Sequence, residues 1–360
     1  MAPTNQLLSN IADRDTPLIK NCWYVLDWSH EVGQKLKNRM VVNQDIVYFR
    51  TKEGTVSVLQ NRCAHRCFPL HRSTLHENDT IQCGYHGLTY NSEGKCVQIP
   101  SALNVNPSFI SIHKYPVIEQ SPMVWVWPGD PEKADPSLIP EYGWINQENW
   151  GYGSGFYHVK GNYLAIHENL MDITHFQYLH GAALGTPKHA ESKIEVTVKN
   201  NTVDNYRINK GEPVPELHRK ATGLKNVPIT RHANSTFISP GFHNAVALFE
   251  DKQGTNDGRT EYSPRILHFI TPETQYTSLY WWMFARDFAV PDKKLDQWYS
   301  DITGKVFEED KDAIEWIEFQ WANDDRPNFV ENHVPSDKGA VKMRHIIHDL
   351  AMQESSYGTS

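Results

Sequence analysis

Residues 63–96 read CAHRCFPLHRSTLHENDTIQCGYHGLTYNSEGKC. This one loop-rich stretch carries four of the chain's five cysteines, together with His65, His71, His76 and His86. Two tight pairs stand in it: Cys63-x-His65, then seventeen residues, then Cys83-x-x-His86. Two such pairs on two loops can close on one metal centre from opposite sides. Thiolates and imidazoles are soft or borderline ligands, so the pattern points to zinc or to an iron–sulfur cluster.

The order of ligands separates the two. Structural zinc sites typically take a C-x2-4-C pair and an H-x3-5-H pair. Here each loop gives one Cys and one His, which suits a Rieske [2Fe–2S] centre, with two thiolates on one iron and two imidazoles on the other. A structural zinc knuckle is the competing reading. Neutral imidazoles in place of anionic thiolates raise the reduction potential. The outer ring nitrogens of His65 and His86 stay free to hydrogen-bond outwards. Cys67 and Cys96 are left over. Gly84 and Tyr85 fill the middle of the second pair, so Cys67 has no cysteine partner there. His71 and His76 read as surface or hydrogen-bonding residues.

The rest of the composition is that of a soluble globular protein, 39% hydrophobic and 22% charged. At 360 residues the chain exceeds the usual size of one core, so two domains are expected. The net charge of −8, from 35 basic and 43 acidic residues, argues against a nucleic-acid binder, which needs a basic face. The start, MAPTNQLLSNIADRDTPL, is no signal peptide. Nothing approaches eighteen consecutive apolar residues, so no membrane span is expected. An odd number of cysteines, with Cys22 alone, argues against a disulfide framework and for the reducing cytoplasm.

Residues 17–127 read as a domain of short strands, after an N-terminal extension, 1–16. RMVVNQDIVYFRT and TVSVLQ flank the turn KEG, and MVWVW closes the region. Pro128, Pro131, Pro136 and Pro140 then predict a linker over 128–143 without regular structure. A second domain follows over 144–350. HENLMDITHFQYLH suits a helix, residues 195–290 look like strands, and RILHFI, TPETQ and TSLYWWMFARDF read as a hairpin. A helix runs from near Leu295 past Trp321. The end, QESSYGTS, is expected to fray.

The second domain has its own ligand set. Asp172, His175 and His180 share one short segment. A helix turns about 100° per residue, so residues five apart do not share a face. To bind one metal the helix must bulge or break between the histidines; otherwise they are unrelated. Two histidines and a carboxylate, with open positions, form the non-haem Fe(II) oxygenase site. The carboxylate candidate comes from periodicity. In VFEEDKDAIEWIEFQW the apolar stripe is Val306, Phe307, Ala313, Ile314, Ile317 and Trp321, and Asp310 falls inside it. A buried acid must bind a metal or pair with a cation such as an arginine. Glu308 and Asp312 fall off the stripe, and Glu309 is borderline.

Taken together, NRCAHRCFPL, CGYHGLTYNSEGKCVQIP, VWVWPGD, YHVKGNYLAIHENLMDITHFQYLHGAALG, HFITPETQ and FEEDKDAIE resemble the oxygenase component of the Rieske non-haem iron oxygenases over nearly the whole chain, most closely the vanillate O-demethylase and dicamba monooxygenase branch. The resemblance implies an α+β architecture: an all-β Rieske domain, then a helix-grip domain with a curved antiparallel sheet around the iron. It implies [2Fe–2S] ligation by Cys63, His65, Cys83 and His86, and mononuclear iron on His175, His180 and Asp310. Asn169 lies beside that iron. It implies a head-to-tail homotrimer, in which Asp172 accepts a hydrogen bond from His86 of the partner subunit and bridges the two centres. Electrons come from NAD(P)H through a reductase, a ferredoxin or both, and O2 is the oxidant.

The substrate is less legible. His268 shares a strand face with Ile266 and Ile270 and reads as a core residue; the family resemblance points to a contact with the carboxylate of a small aromatic acid instead. Trp281, Trp282 and Trp298 are candidates for the cavity wall or for packing. Hydroxylation and O-demethylation, a ring-hydroxylating dioxygenase, a non-catalytic Rieske electron carrier and a zinc-stabilised binding module are the competing functions.

Overall fold

The computed structural model describes residues 10–357, apart from 103, 187–190, 226–227, 255 and 325–330. The chain divides into two compact units. One is Ile19–Ile139; the other joins the described residues up to Leu18 to those from Pro140 onward.

The first unit is built from short antiparallel strands: β1 (Tyr24–Trp28), β2 (Lys37–Val41), β3 (Gln44–Arg50), β4 (Val56–Gln60), β5 (Thr74–Leu75), β6 (Ile81–Gln82), β7 (Thr89–Tyr90), β8 (Cys96–Gln98), β9 (Val117–Gln120) and β10 (Met123–Val126). They form three sheets, ordered β1-β10-β9, β2-β3-β4 and β5-β6-β7-β8. RMVVNQDIVYFRT is not one strand. Val42 and Asn43 both take positive φ, 44° and 63°, and two such residues in succession turn the chain into a hairpin between β2 and β3. The proline-rich segment also differs from expectation. Pro131 and Pro136 each open a 3-10 turn whose preceding aspartate, Asp130 or Asp135, caps it through its side chain. Proline at a first helical position loses no hydrogen bond, so prolines here start turns rather than forbid them.

The second unit contains β11 (Gly151–Val159), α1 (Tyr163–Met171), β12 (Glu195–Lys199), β13 (Thr202–Glu212), α2 (Glu216–Thr222), β14 (Ile229–Ser239), β15 (Phe242–Glu250), β16 (Glu261–Tyr262), β17 (Arg265–Pro272), β18 (Ser278–Arg286), α3 (Lys293–Ala322) and α4 (Lys338–Tyr357). The strands make one antiparallel sheet in the order β11-β18-β17-β15-β14-β13-β12, with β16 beside β15. All nine residues of β18 are buried, so the sheet is covered on both faces there. Helix α2 interrupts the stretch read as strands. The terminal helix continues through Tyr357, so QESSY is helical rather than frayed, and the last three residues lie outside the described ones. Among the described residues no helix is long and apolar enough to cross a membrane.

Helix α3 starts at a firm cap, where the Asp292 carboxylate accepts from the amides of Lys294 and Leu295. Its buried row is Tyr299, Thr303, Val306, Phe307, Asp310, Ile314 and Glu318. Ile317, placed in the stripe by sequence, is 52% exposed. The inward row steps from 314 to 318 instead, because Arg14 pairs with both carboxylate oxygens of Glu318, at 2.8 and 2.9 Å, and satisfies an acid on that face.

Candidate metal centres and pocket

In the first unit, Cys63 and His65 lie on the connection from β4 to β5, and Cys83 and His86 on the hairpin from β6 to β7. Each loop is closed by backbone. The Cys63 amide donates to Phe68 O (2.9 Å) and the Cys67 amide to Cys63 O (2.9 Å); the Cys83 amide donates to Leu88 O (2.8 Å) and the Gly87 amide to Cys83 O (2.9 Å). The two thiols are buried, while His65 and His86 are exposed with ring centroids 4.6 Å apart. The Tyr90 hydroxyl sits 3.2 Å from Cys63 Sγ. Burial pushes the Cys83 thiol up, against the amides of Tyr85 and His86 that favour its thiolate. A bound cation offsets that burial cost, so the buried thiols fit metal ligation. Among the described residues the four ligand atoms do not crowd to within 4.8 Å of one another, as a single zinc would require. Two irons, thiolates on one and imidazoles on the other, fit instead.

Cys67 is exposed, and Cys96 is buried under the loops. His71 fixes the base of the first loop: its amide donates to Asn61 Oδ1 at 2.7 Å, and Asn61 also donates to Asp45 at 2.8 Å. His76 lies 3.0 Å from Gln82 at the surface.

In the second unit, α1 ends at Met171, so HENLMDITHFQYLH is not one helix. Asp172 leaves helical geometry (φ −106°, ψ 93°) and its carboxylate accepts from the Thr174 amide, starting a 3-10 segment over Ile173–Gln177. This break brings the two histidines together. Their ring centroids are 5.1 Å apart, and both Nε2 atoms approach Asp310 Oδ1, at 3.3 Å from His175 and 3.1 Å from His180. Those distances are short enough for ion pairs, yet both Nε2 atoms are buried without a hydrogen-bond partner. Three donor atoms aimed at one point, two of them unsatisfied, fit a metal ion. Among the described residues, His175, His180 and Asp310 alone bring three such atoms within 4.8 Å of one another. Among the described residues Asp310 pairs with no arginine.

The other faces of the ligands are held by this chain. His175 Nδ1 lies 2.5 Å from the carbonyl of Asp172, and His180 Nδ1 lies 2.8 Å from Glu309 Oε2. Both contacts place the proton on Nδ1 and leave Nε2 as the ligand atom. Asn169 Nδ2 donates to Asp310 Oδ1 at 3.0 Å. Burial raises the Asp310 carboxyl, but the two imidazoles overcome it and hold the acid well below the usual range. Burial lowers His180, while Asp310 and Glu309 more than reverse it. Asp172 is half-buried, with Arg207 at 3.9 Å and the Ser336 hydroxyl at 3.4 Å.

The ligands open into a cavity walled by Phe176, Leu217, Val246, Ile266, Phe284 and Phe307. His268 faces it from β17; its Nδ1 is 2.7 Å from the Tyr280 hydroxyl. Burial pushes its imidazole down to about 3, so it is neutral at pH 7. Trp281, Trp282 and Trp298 do not line this cavity. Trp281 packs on Phe156, Trp282 on Phe307 and Trp298 on Tyr299. Sequence reading did not single out Arg207, Arg231 or His218, and left Glu309 undecided. Glu309 carries no periodic signal. Arg231 does: it interrupts the alternating buried row of β14 as Asp310 interrupts that of α3.

Comparison with known proteins agrees with this layout. Residues 22–116 match the Rieske [2Fe-2S] domain, and residues 159–353 match the vanillate O-demethylase oxygenase C-terminal domain. The chain is 32% identical over 342 residues to a vanillate O-demethylase oxygenase subunit of Pseudomonas sp. (strain HR199 / DSM 7063), covering 93% of this chain and 95% of the relative. It is 33% identical over 326 residues to the iron-sulfur subunit of a toluene-4-sulfonate monooxygenase system from Comamonas testosteroni, covering 82% and 87%. The crystal structure of dicamba monooxygenase bound to 3,6-dichlorosalicylic acid superposes with a TM-score of 0.88 at 26% identity, covering 94% of this chain and 99% of that one.

Proposed function

Since the chain belongs to the Rieske non-haem iron oxygenases, as an oxygenase component, we propose that it inserts one oxygen atom of O2 into a C–H bond of a small aromatic acid. The family carries a [2Fe–2S] cluster and a mononuclear iron, and takes NAD(P)H-derived electrons through a partner reductase or ferredoxin. The net reaction takes substrate, O2, two electrons and two protons to the hydroxylated product and water. Where the C–H bond belongs to a methoxy group, the hemiacetal product collapses to a phenol and formaldehyde.

The residues divide this work. Cys63, His65, Cys83 and His86 would hold the cluster, with the thiols buried and the two imidazoles facing outwards. His175, His180 and Asp310 would hold the mononuclear iron, a donor set suited to O2 activation. When bound, the two centres supply one-electron transfer and O2 activation. Glu309 and the Asp172 carbonyl orient the two imidazoles, and Asn169 orients Asp310. The Asp172 carboxylate, in a head-to-tail homotrimer, reaches His86 of the partner subunit and couples the centres. The apolar wall excludes water around the reacting bond, and His268 offers the substrate a neutral hydrogen bond. The cytoplasm supplies the reductant.

One observation carries this reading against an electron carrier: two unsatisfied Nε2 atoms and a buried carboxylate converge on a cavity. The test is metal and sulfide analysis, followed by NADH-driven turnover with a reductase over methoxylated and plain aromatic acids. Formaldehyde matched to NADH consumption establishes O-demethylation. Hydroxylated product without formaldehyde establishes hydroxylation. A sulfide-containing protein without mononuclear iron would leave only the carrier.

A further inference from the structure

The cavity lined by the iron ligands is also lined by a cation whose hydrogen bonding is incomplete. Arg231 stands on the inward row of β14, between Ile229 and Ala233, and is 4% exposed. Its hydrogen bond is a long one, from Nη1 to the carbonyl of Leu184 at 3.3 Å. Its Nε is buried and unbonded. Glu212 acts on it through space, but Oε2 of that carboxylate is taken by Thr186 at 2.6 Å and Oε1 is unbonded. Burial lowers the guanidinium to about 10, which leaves it charged at pH 7.

Two neutral groups accompany it. His218 on α2 is 2% exposed with an unbonded Nδ1, and Thr303 on α3 has an unbonded hydroxyl; both line the same cavity. A guanidinium taken out of water is stable only when paired. Glu212 balances the charge through space but takes no hydrogen bond from it, so the guanidinium keeps donor capacity for a further anion at this place. The position along the strand suits a small aromatic acid. Ser235, four residues further on the same inward row, donates to the carbonyl of Leu170, next to Asn169. Four residues of strand span about 13 Å, which leaves a substituted ring's length between Arg231 and the iron ligands.

We propose that Arg231, with His218 and Thr303 as neutral donors, binds the anionic substituent of the aromatic substrate, a carboxylate or sulfonate, and so fixes which ring position faces the metal. This rests on the oxygenase reading above. It differs from an assignment to His268, whose imidazole is neutral and already engaged by Tyr280.

The test uses the iron-loaded oxygenase and matched pairs of probes: 3-methoxybenzoate against 3-methoxybenzamide, and 4-methylbenzenesulfonate against its sulfonamide. Binding is measured by calorimetry after iron and sulfide have been assayed. The wild type is expected to prefer the anion of at least one pair by about tenfold or more, and the pair with the larger preference identifies the group. Arg231→Gln removes that preference and leaves binding of the neutral probe in place; Arg231→Lys keeps part of it. Preference retained in Arg231→Gln, or absent from the wild type in both pairs, overturns the assignment. Should Arg231→Gln fail to load iron, Glu212→Gln decides: removing the competing carboxylate tightens the anionic probe, and unchanged or weaker binding overturns the proposal. Iron content judges the oxygenase reading separately, because an iron-loaded protein without anion preference keeps that reading and loses only this one.

Discussion

Cys67 holds in the first cluster loop the place that Gly87 holds in the second. Each amide donates to the carbonyl of its loop's first cysteine at 2.9 Å, and each residue sits at positive φ, +58° and +77°. The following residue, Phe68 or Leu88, returns its carbonyl to that cysteine. The loops are two copies of one turn. The histidine lies two residues after the cysteine in one copy and three after it in the other, and in this arrangement the two rings meet.

This equivalence separates two substitutions. Cys67→Gly relieves a left-handed side chain worth about 1–2 kcal/mol but adds unfolded-chain freedom of about 0.5–1 kcal/mol, so stability changes little. Gly87→Ala adds the same backbone strain and drives a Cβ to 2.9 Å from Pro100 Cγ, so the second loop loses its shape. Visible absorbance of the cluster and the thermal midpoint check both. A bleached cluster in Cys67→Gly would instead make that thiol a ligand.

The pattern of what was readable follows from this geometry. The Cys–His pairs are local, so spacing alone exposed them. Asp310 was legible because an acid broke an apolar period. The helix break at Asp172 was required by the i,i+5 spacing, but its place was not, because it depends on a side-chain cap to Thr174. The turn at Val42–Asn43 escaped because valine carries no turn signal. Glu309 escaped for another reason: its partner, His180, lies 129 residues away in the chain. Trp281 and Trp282 point to opposite faces of β18 and Trp298 stands on α3, and none of the three lines the cavity, a placement that composition does not reveal.

The iron site should fail in two grades. Asp310→Ala removes a ligand and leaves the two imidazoles without their anion; it loses mononuclear iron and keeps the Rieske spectrum. Glu309→Ala leaves all three ligands but frees the His180 ring, so iron affinity falls about 10–100-fold. Glu309→Gln keeps an acceptor for Nδ1 and loses less. Chelator competition followed by iron assay orders the three. Full iron retention in Asp310→Ala would move the carboxylate ligand elsewhere.

Asp172 has two separable functions. Its carbonyl orients His175 and its carboxylate caps the Thr174 amide, and an asparagine can still do both. Asp172→Asn is therefore expected to load both metals and fold normally, yet lose turnover, because a neutral amide replaces the bridging charge. Single-turnover oxidation of the pre-reduced cluster, with substrate and O2 present, measures the step directly. Wild-type rates would take Asp172 out of the electron path.

Four buried histidines make the second unit acid-sensitive. Burial pushes His167 down to about 4 and His268 to about 3, and drives His218 and His243 well below their ordinary value. All four are neutral in the fold and titrate near 6.5 when unfolded. Below that pH the unfolded chain binds protons that the fold refuses. Stability is thus fully present above about 6.5 and falls as pH drops toward 4, where His167 begins to protonate in the fold; each histidine contributes up to about 1.4 kcal/mol per pH unit in that window. Urea midpoints between pH 7.5 and 5 should fall steeply, with proton uptake on unfolding. His243→Gln removes one titrating group while keeping a polar contact for Ser235, which lies 2.7 Å from His243 Nε2, and should flatten the slope by about one proton. A midpoint independent of pH over that range would show that these imidazoles are charged or exposed in solution.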